Sequence, residues 1–140
     1  IGEAFDRLEP IQQGEDIVVP RKEIPQIVEE LQRLSDEFSV LIPTFGHAGD
    51  GNLHPTVIKP KDMEMKEWEE LLQRLLPKLY EKVKQLGGTL SGEHGIGYKR
   101  KKFLPIFLSK EEIELMKRIK LAFDPNLILN PGKIFDINMV

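Results

Sequence analysis

The chain has 140 residues, 40% hydrophobic and 31% charged, the balance of a folded domain able to bury a core. Its 20 basic and 23 acidic residues leave a formal net charge of −3, so no sequence-blind affinity for nucleic acid is expected. The absence of cysteine excludes disulfides, cysteine-held zinc and a cysteine-ligated iron–sulfur cluster within these residues, and it fits a cytoplasmic protein.

No apolar run approaches the roughly 20 residues needed to span a bilayer, and no secretory signal is visible. Opening on Ile1 and passing at once into a charged segment, the chain reads as a piece of something longer. In chain order, Glu15 to Pro20 (EDIVVP) is a β-branched run closed by proline and predicts a strand. From Arg21 to Phe38, Ile24, Ile27, Val28, Leu31, Leu34 and Phe38 recur at three- and four-residue intervals, giving one apolar helical stripe. Pro25 falls in the first turn of that helix, where a missing N–H costs little.

Val40 to Phe45 (VLIPTF) and Leu53 to Ile58 (LHPTVI) predict two further strands. Between them GDGN signals a hairpin, because Asp-Gly readily supplies the positive φ of a tight turn. A second helix is predicted from Met63 to Leu86, kinked at Pro77 and stopped by Gly87-Gly88, and Thr89 to Ser91 predicts a short fourth strand. Ser109 and Glu112 form a capping box that starts a last helix running through Phe123, and a turn-rich extended tail, DPNLILNPGKIF, follows. The order β-α-β-β-α-β predicts an α+β fold: a ferredoxin-like sandwich with an antiparallel sheet, plus a C-terminal helix and extended tail.

The chain's three histidines all stand in glycine-rich stretches. His47 and His54 flank the Gly-Asp-Gly turn, and a hairpin can bring their side chains within a few ångströms of each other. Two readings remain open: a hairpin with incidental histidines, or two imidazole ligands of a divalent ion. SGEHGIG, Ser91 to Gly97, holds His94 beside Glu93 and offers one ligand and one base; the plainer alternative is an exposed loop. In this topology the hairpin and the exit of the fourth strand are expected at opposite ends of the sheet, so Glu93 needs a bend to return to the histidines.

Asp50 and Asn52 are read as turn residues, with a ligand or supporting role as the alternative. Arg21, Lys22 and the run Lys99-Arg100-Lys101-Lys102 are read as solvated surface charge, the alternative being an anion clamp or a membrane-touching patch. No Walker loop, dinucleotide fingerprint or nucleophile elbow is present.

Three motifs, GHAGDGNLHP, GGTLSGEHGIGYKR and FDPNLILNPGKIF, in this order and spacing, resemble the C-terminal part of FAD-linked 2-hydroxy-acid oxidases and dehydrogenases. That family includes the FAD subunit of glycolate oxidase, D-lactate dehydrogenase and D-2-hydroxyglutarate dehydrogenase. The resemblance implies that His47, His54 and Glu93 hold a divalent metal, zinc foremost with manganese or iron as alternatives, which chelates the substrate's carboxylate and 2-hydroxyl. It implies that His94 takes the hydroxyl proton while hydride passes from C2 to the flavin, and that Asn130 in NPGK returns toward the flavin. Residues 1–140 are then expected to be a partial substrate and metal domain, inactive alone, because that family's FAD-binding domain is N-terminal and has no counterpart here. The implied partners are a small 2-hydroxy acid, the N-terminal FAD domain of the same protein, and an iron–sulfur or other electron-acceptor subunit. The expected location is cytoplasmic, with a position peripheral to the membrane as the alternative. A free-standing metal-binding module or small metallohydrolase is the alternative, and a purely structural interaction domain a third reading.

Overall fold

A computed structural model of the chain describes residues 11–137 and divides after Gly92 into two compact units. The first unit combines an antiparallel sheet with two helices, the expected α+β class. Its strands are β1 (Gln12–Gly14), β2 (Ile17–Val18), β3 (Thr44–His47) and β4 (Asn52–Ile58). β4 is central: β1 and β2 pair along one side of it and β3 along the other.

The run predicted as one strand from Glu15 to Pro20 is therefore two pieces, and it starts earlier. Both pieces keep a single register, since Gly14 faces Thr56 and Ile17 faces Leu53. The break between them has a chemical cause. Glu15 N–H donates to the Pro55 carbonyl at 2.8 Å, but proline has no N–H to return the second bond of that pair.

The predicted second strand is displaced toward the turn, with Leu41 retained only as an isolated bridge to Ile58. His47 thereby becomes the last residue of β3 and Asn52 the first of β4, so Asn52 is a strand residue and not the turn residue expected. Ala48 to Gly51 make the turn: Gly51 has a φ of 79°, and the Asp50 carboxylate accepts from the Asn52 N–H at 3.1 Å.

Two helices cover one face of this sheet. After a 3₁₀ turn at Arg21–Glu23, α1 (Ile24–Phe38) carries Pro25 in its first turn as expected. The second, α2 (Met65–Gln85), runs unbroken through Pro77, and Gly87, with a φ of 75°, follows its end. The helices pack on each other and bury Ile27, Leu31 and Leu34 of α1 and Trp68, Leu71, Leu75, Leu79 and Val83 of α2. Burial of each such aliphatic side chain favours the folded state by about 1.5–3 kcal/mol before entropy is counted. Ile17, Leu53 and Val57, all buried, alternate onto the same sheet face as Glu15, whose carboxylate accepts from the Tyr80 hydroxyl of α2 at 2.5 Å.

The expected fourth strand, Thr89–Ser91, is reduced to one bridge between Thr89 and Val18. The ferredoxin-like sheet is thus not completed by a regular fourth strand.

The second unit is mainly helical among its described residues, with a 3₁₀ turn at Lys101–Phe103, α3 (Leu104–Phe107) and α4 (Lys110–Phe123). The Ser109–Glu112 capping box forms as the sequence predicts. The short helical stretch from Lys101 to Phe107 was not expected. The basic run Lys99–Lys102 that leads into it is only partly surface charge: Arg100 is buried and donates to the Gly95 carbonyl at 3.3 Å, and Lys101 pairs with Asp136 at 2.7 Å. No helix among the described residues is long and apolar enough to cross a membrane.

Candidate metal and substrate site

Alternation along the strands places a group of polar residues on the sheet face opposite the one that carries Glu15, Ile17, Leu53 and Val57. In the shared register Asp16 stands directly across from His54, because Gly14 pairs with Thr56 and Ile17 with Leu53. On the other side Phe45 pairs with His54 and His47 with Asn52. Asp16, His47, Asn52 and His54 therefore project from one face, on three adjacent strands. Asp16 and His54 form a pair without reciprocal backbone hydrogen bonds, the kind in which side chains lie closest.

The two histidines of the turn stand side by side, their ring centroids 5.8 Å apart and their planes at 90°. The Phe45 ring packs on His54 at 5.1 Å. His54 is buried, while His47 is exposed at the hairpin. An ion about 2.0–2.1 Å from one nitrogen of each ring, at a tetrahedral angle, would set the centroids roughly 5 Å apart. The observed spacing is within an ångström of that, so the pair fits a shared divalent ion without a change of strand register.

Asp16 is fully buried and collects donors on both carboxylate oxygens. Oδ1 accepts from Asn52 Nδ2 at 2.7 Å and lies 3.8 Å from His54 Nδ1. Oδ2 accepts from the Ser91 hydroxyl at 2.6 Å and from the Gly92 N–H at 2.9 Å. Asn52 Nδ2 also donates to the Ile17 carbonyl at 3.1 Å, which fixes the amide across the strands. These bonds replace the solvation that a buried carboxylate loses.

Within the first unit, pairing fixes the course of the short fourth segment as far as Gly92. Thr89 meets the sheet at Val18, and Val18 pairs with Asn52, so the short fourth segment enters level with the hairpin turn. Running antiparallel to β2, it is level with Asp16 by Ser91 and Gly92, and the first unit ends there.

Glu93 and His94 open the second unit, both about half exposed, with His94 Nε2 3.9 Å from Glu93 Oε1. Asn130 lies in the turn after α4 with a left-handed φ of 47°, on the wall of a hollow of about 330 Å³ that Ile119, Lys133 and Phe135 also line. Neither Asp16 nor the strand role of Asn52 emerges from sequence motifs. One signal was available: an acid followed by the apolar run Ile17-Val18-Val19 is unusual on a buried strand unless it is paired.

Residues 1–134 match the family described as FAD linked oxidases, C-terminal domain. The chain is 45% identical over 132 residues to the glycolate oxidase subunit GlcD of Bacillus subtilis, covering 94% of this chain and 28% of that protein. It is 40% identical over 119 residues to a D-lactate dehydrogenase of Anaerostipes hadrus, covering 85% and 25% respectively. To a D-2-hydroxyglutarate dehydrogenase of Stutzerimonas stutzeri it is 38% identical over 122 residues, covering 86% and 26%. The chain thus spans about a quarter of the length of these relatives.

Proposed function

This chain belongs to the family of FAD-linked oxidase C-terminal domains, and we propose that it is the substrate- and metal-bearing part of an FAD-dependent 2-hydroxy-acid dehydrogenase or oxidase. The observation that carries this reading is the His47–His54 pair on one sheet face, with Ser91-Gly92 anchored beside it by Asp16. Glu93 follows Gly92 directly, so its Cα is about 3.8 Å from an anchored one.

In this reading His47, His54 and Glu93 are the protein ligands of a divalent ion, zinc foremost, a nitrogen and oxygen donor set suited to it. When bound, such an ion supplies Lewis acidity, lowering the pKa of a coordinated 2-hydroxyl and fixing its orientation. FAD, held by an N-terminal domain of the same protein, supplies the hydride acceptor.

His94 receives the hydroxyl proton. The oxygen's freed electron pair then closes the 2-oxo double bond as the hydrogen on C2 departs as hydride. An imidazole suits this step because it can accept a proton near neutral pH and release it to water afterwards. Asn130 is assigned to the flavin side of the site. The electrons leave for a separate acceptor, an iron–sulfur or other partner subunit, and the protein works in the cytoplasm, peripheral to the membrane.

The test is made on the full-length flavoprotein. Glycolate, D-lactate and D-2-hydroxyglutarate are offered to it, with metal content measured by mass spectrometry. One divalent ion per chain is expected, and His47→Ala should lose both the ion and turnover while keeping the flavin spectrum. A metal-free wild type that turns over, or a His47→Ala variant with unchanged kcat/KM, would sink the reading.

A further inference from the structure

Asp16 is a fully buried carboxylate that faces His54 and accepts from Ser91 and Gly92, the two residues before Glu93. We infer that Asp16 is the positioning residue of this site, setting the His54 ring through Nδ1 and holding the Ser91-Gly92 strap from which Glu93 extends. The inference rests on the metal reading proposed above.

Two observations within the first unit carry it. First, Asp16 Oδ1 lies 3.8 Å from His54 Nδ1, across a strand pair whose register leaves the two side chains face to face. A carboxylate there favours a proton on Nδ1 and leaves the lone pair on Nε2, which it makes a stronger donor. At 3.8 Å the contact is electrostatic, short of a hydrogen bond.

Second, Asp16 Oδ2 takes two bonds from the residues that immediately precede Glu93. One side chain therefore sets a ring on β4 and the end of a segment more than thirty residues further along the chain. Its oxygens also accept from Asn52, Ser91 and Gly92, which ties the carboxylate to the frame around His54.

Asp16→Asn in the full-length, flavin-loaded enzyme tests this. The amide matches the carboxylate in size but cannot accept all three donors or polarise the imidazole. The metal dissociation constant, measured by chelator competition, should rise about 10–100-fold, the usual cost of losing such a supporting carboxylate. Tyr80→Phe is the control: it removes a hydrogen bond to Glu15 on the opposite face of the same strand run and should lower Tm without weakening metal.

A dissociation constant for Asp16→Asn within about twofold of wild type overturns the inference, as does equal weakening by Tyr80→Phe. Should Asp16→Asn fail to fold, Ser91→Ala decides. It removes one strap bond and leaves the carboxylate buried among its other donors, so a weakening of roughly tenfold supports the inference and no change overturns it. A wild-type enzyme without metal would sink the proposed function, and this inference with it. A metal-bearing wild type with an indifferent Asp16 would sink the inference alone.

Discussion

Gly92 stands so close to Asn52 that a Cβ on it would overlap the amide nitrogen of Asn52 and a methyl of Val18. Gly92→Ala should therefore push the Asn52 side chain off Asp16 Oδ1 and the Ile17 carbonyl, at a cost of roughly 1–3 kcal/mol, typical of overpacking in a fixed frame. Thermal denaturation beside wild type measures it, and an unchanged Tm would mean that the strap is not wedged as described. The histidines of this region were legible in the sequence because imidazoles are scarce in the chain and flank a recognisable turn. Asp16 was not, because the role inferred for it comes from lying across from His54, 38 positions away in sequence. That distance is bridged by strand register, which no local pattern states. Asn52 was misplaced for a related reason. Its chemistry suits a turn, yet cross-strand hydrogen bonds pull it into β4.

Local signals are more dependable where an element ends than where two elements meet. The capping box of α4 forms as its sequence says, with Ser109 Oγ accepting from the Glu112 N–H at 3.2 Å and Glu112 accepting from the Ser109 N–H at 2.7 Å. The break of the first strand at Pro55 and the shrinkage of the fourth to one bridge depend on pairing partners, and neither was legible. At its other end α4 passes into a turn ordered by Asp124. That carboxylate accepts from Lys120 Nζ at 2.5 Å and from the Ile128 and Leu129 N–H groups at 3.1 and 3.0 Å. The Lys120 hydrogen bond, aided by the backbone donors and opposed by burial, holds its pKa below the ordinary aspartate value. The stability this contributes is fully present above that ordinary value and is lost as pH falls through the lower folded pKa. Asp124→Asn should consequently remove part of the acid sensitivity of the wild type. Only part is expected to go, since Glu37 beside Lys78 and Glu112 at the cap are depressed as well. Melting curves across the acidic range check this; an identical pH dependence in wild type and variant would contradict it.

At the scale of the whole molecule, everything proposed for substrate and metal lies between Asp16 and Asn130, in a chain that spans about a quarter of its relatives. The first unit buries Ile17, Ile27, Leu34, Leu75, Leu79 and Val83, a core beside the frame that sets the His47–His54 pair. Metal binding and oxidation should then separate. The 140-residue chain by itself is expected to bind zinc in a calorimetric titration, with the heat abolished by His47→Ala and much reduced by Glu93→Ala. His94→Ala should leave the titration close to wild type, because its proposed work is to take a proton, and in the full-length enzyme that same change should cost rate far more than metal content. Offered the 2-hydroxy-acid panel with an artificial electron acceptor, the chain alone should reduce nothing, since its side chains supply no group able to accept a hydride. Dye reduction by the chain alone would show that the flavin is not the acceptor assigned to it. Loss of zinc binding in His94→Ala, with Glu93→Ala unaffected, would instead exchange the roles of the two residues.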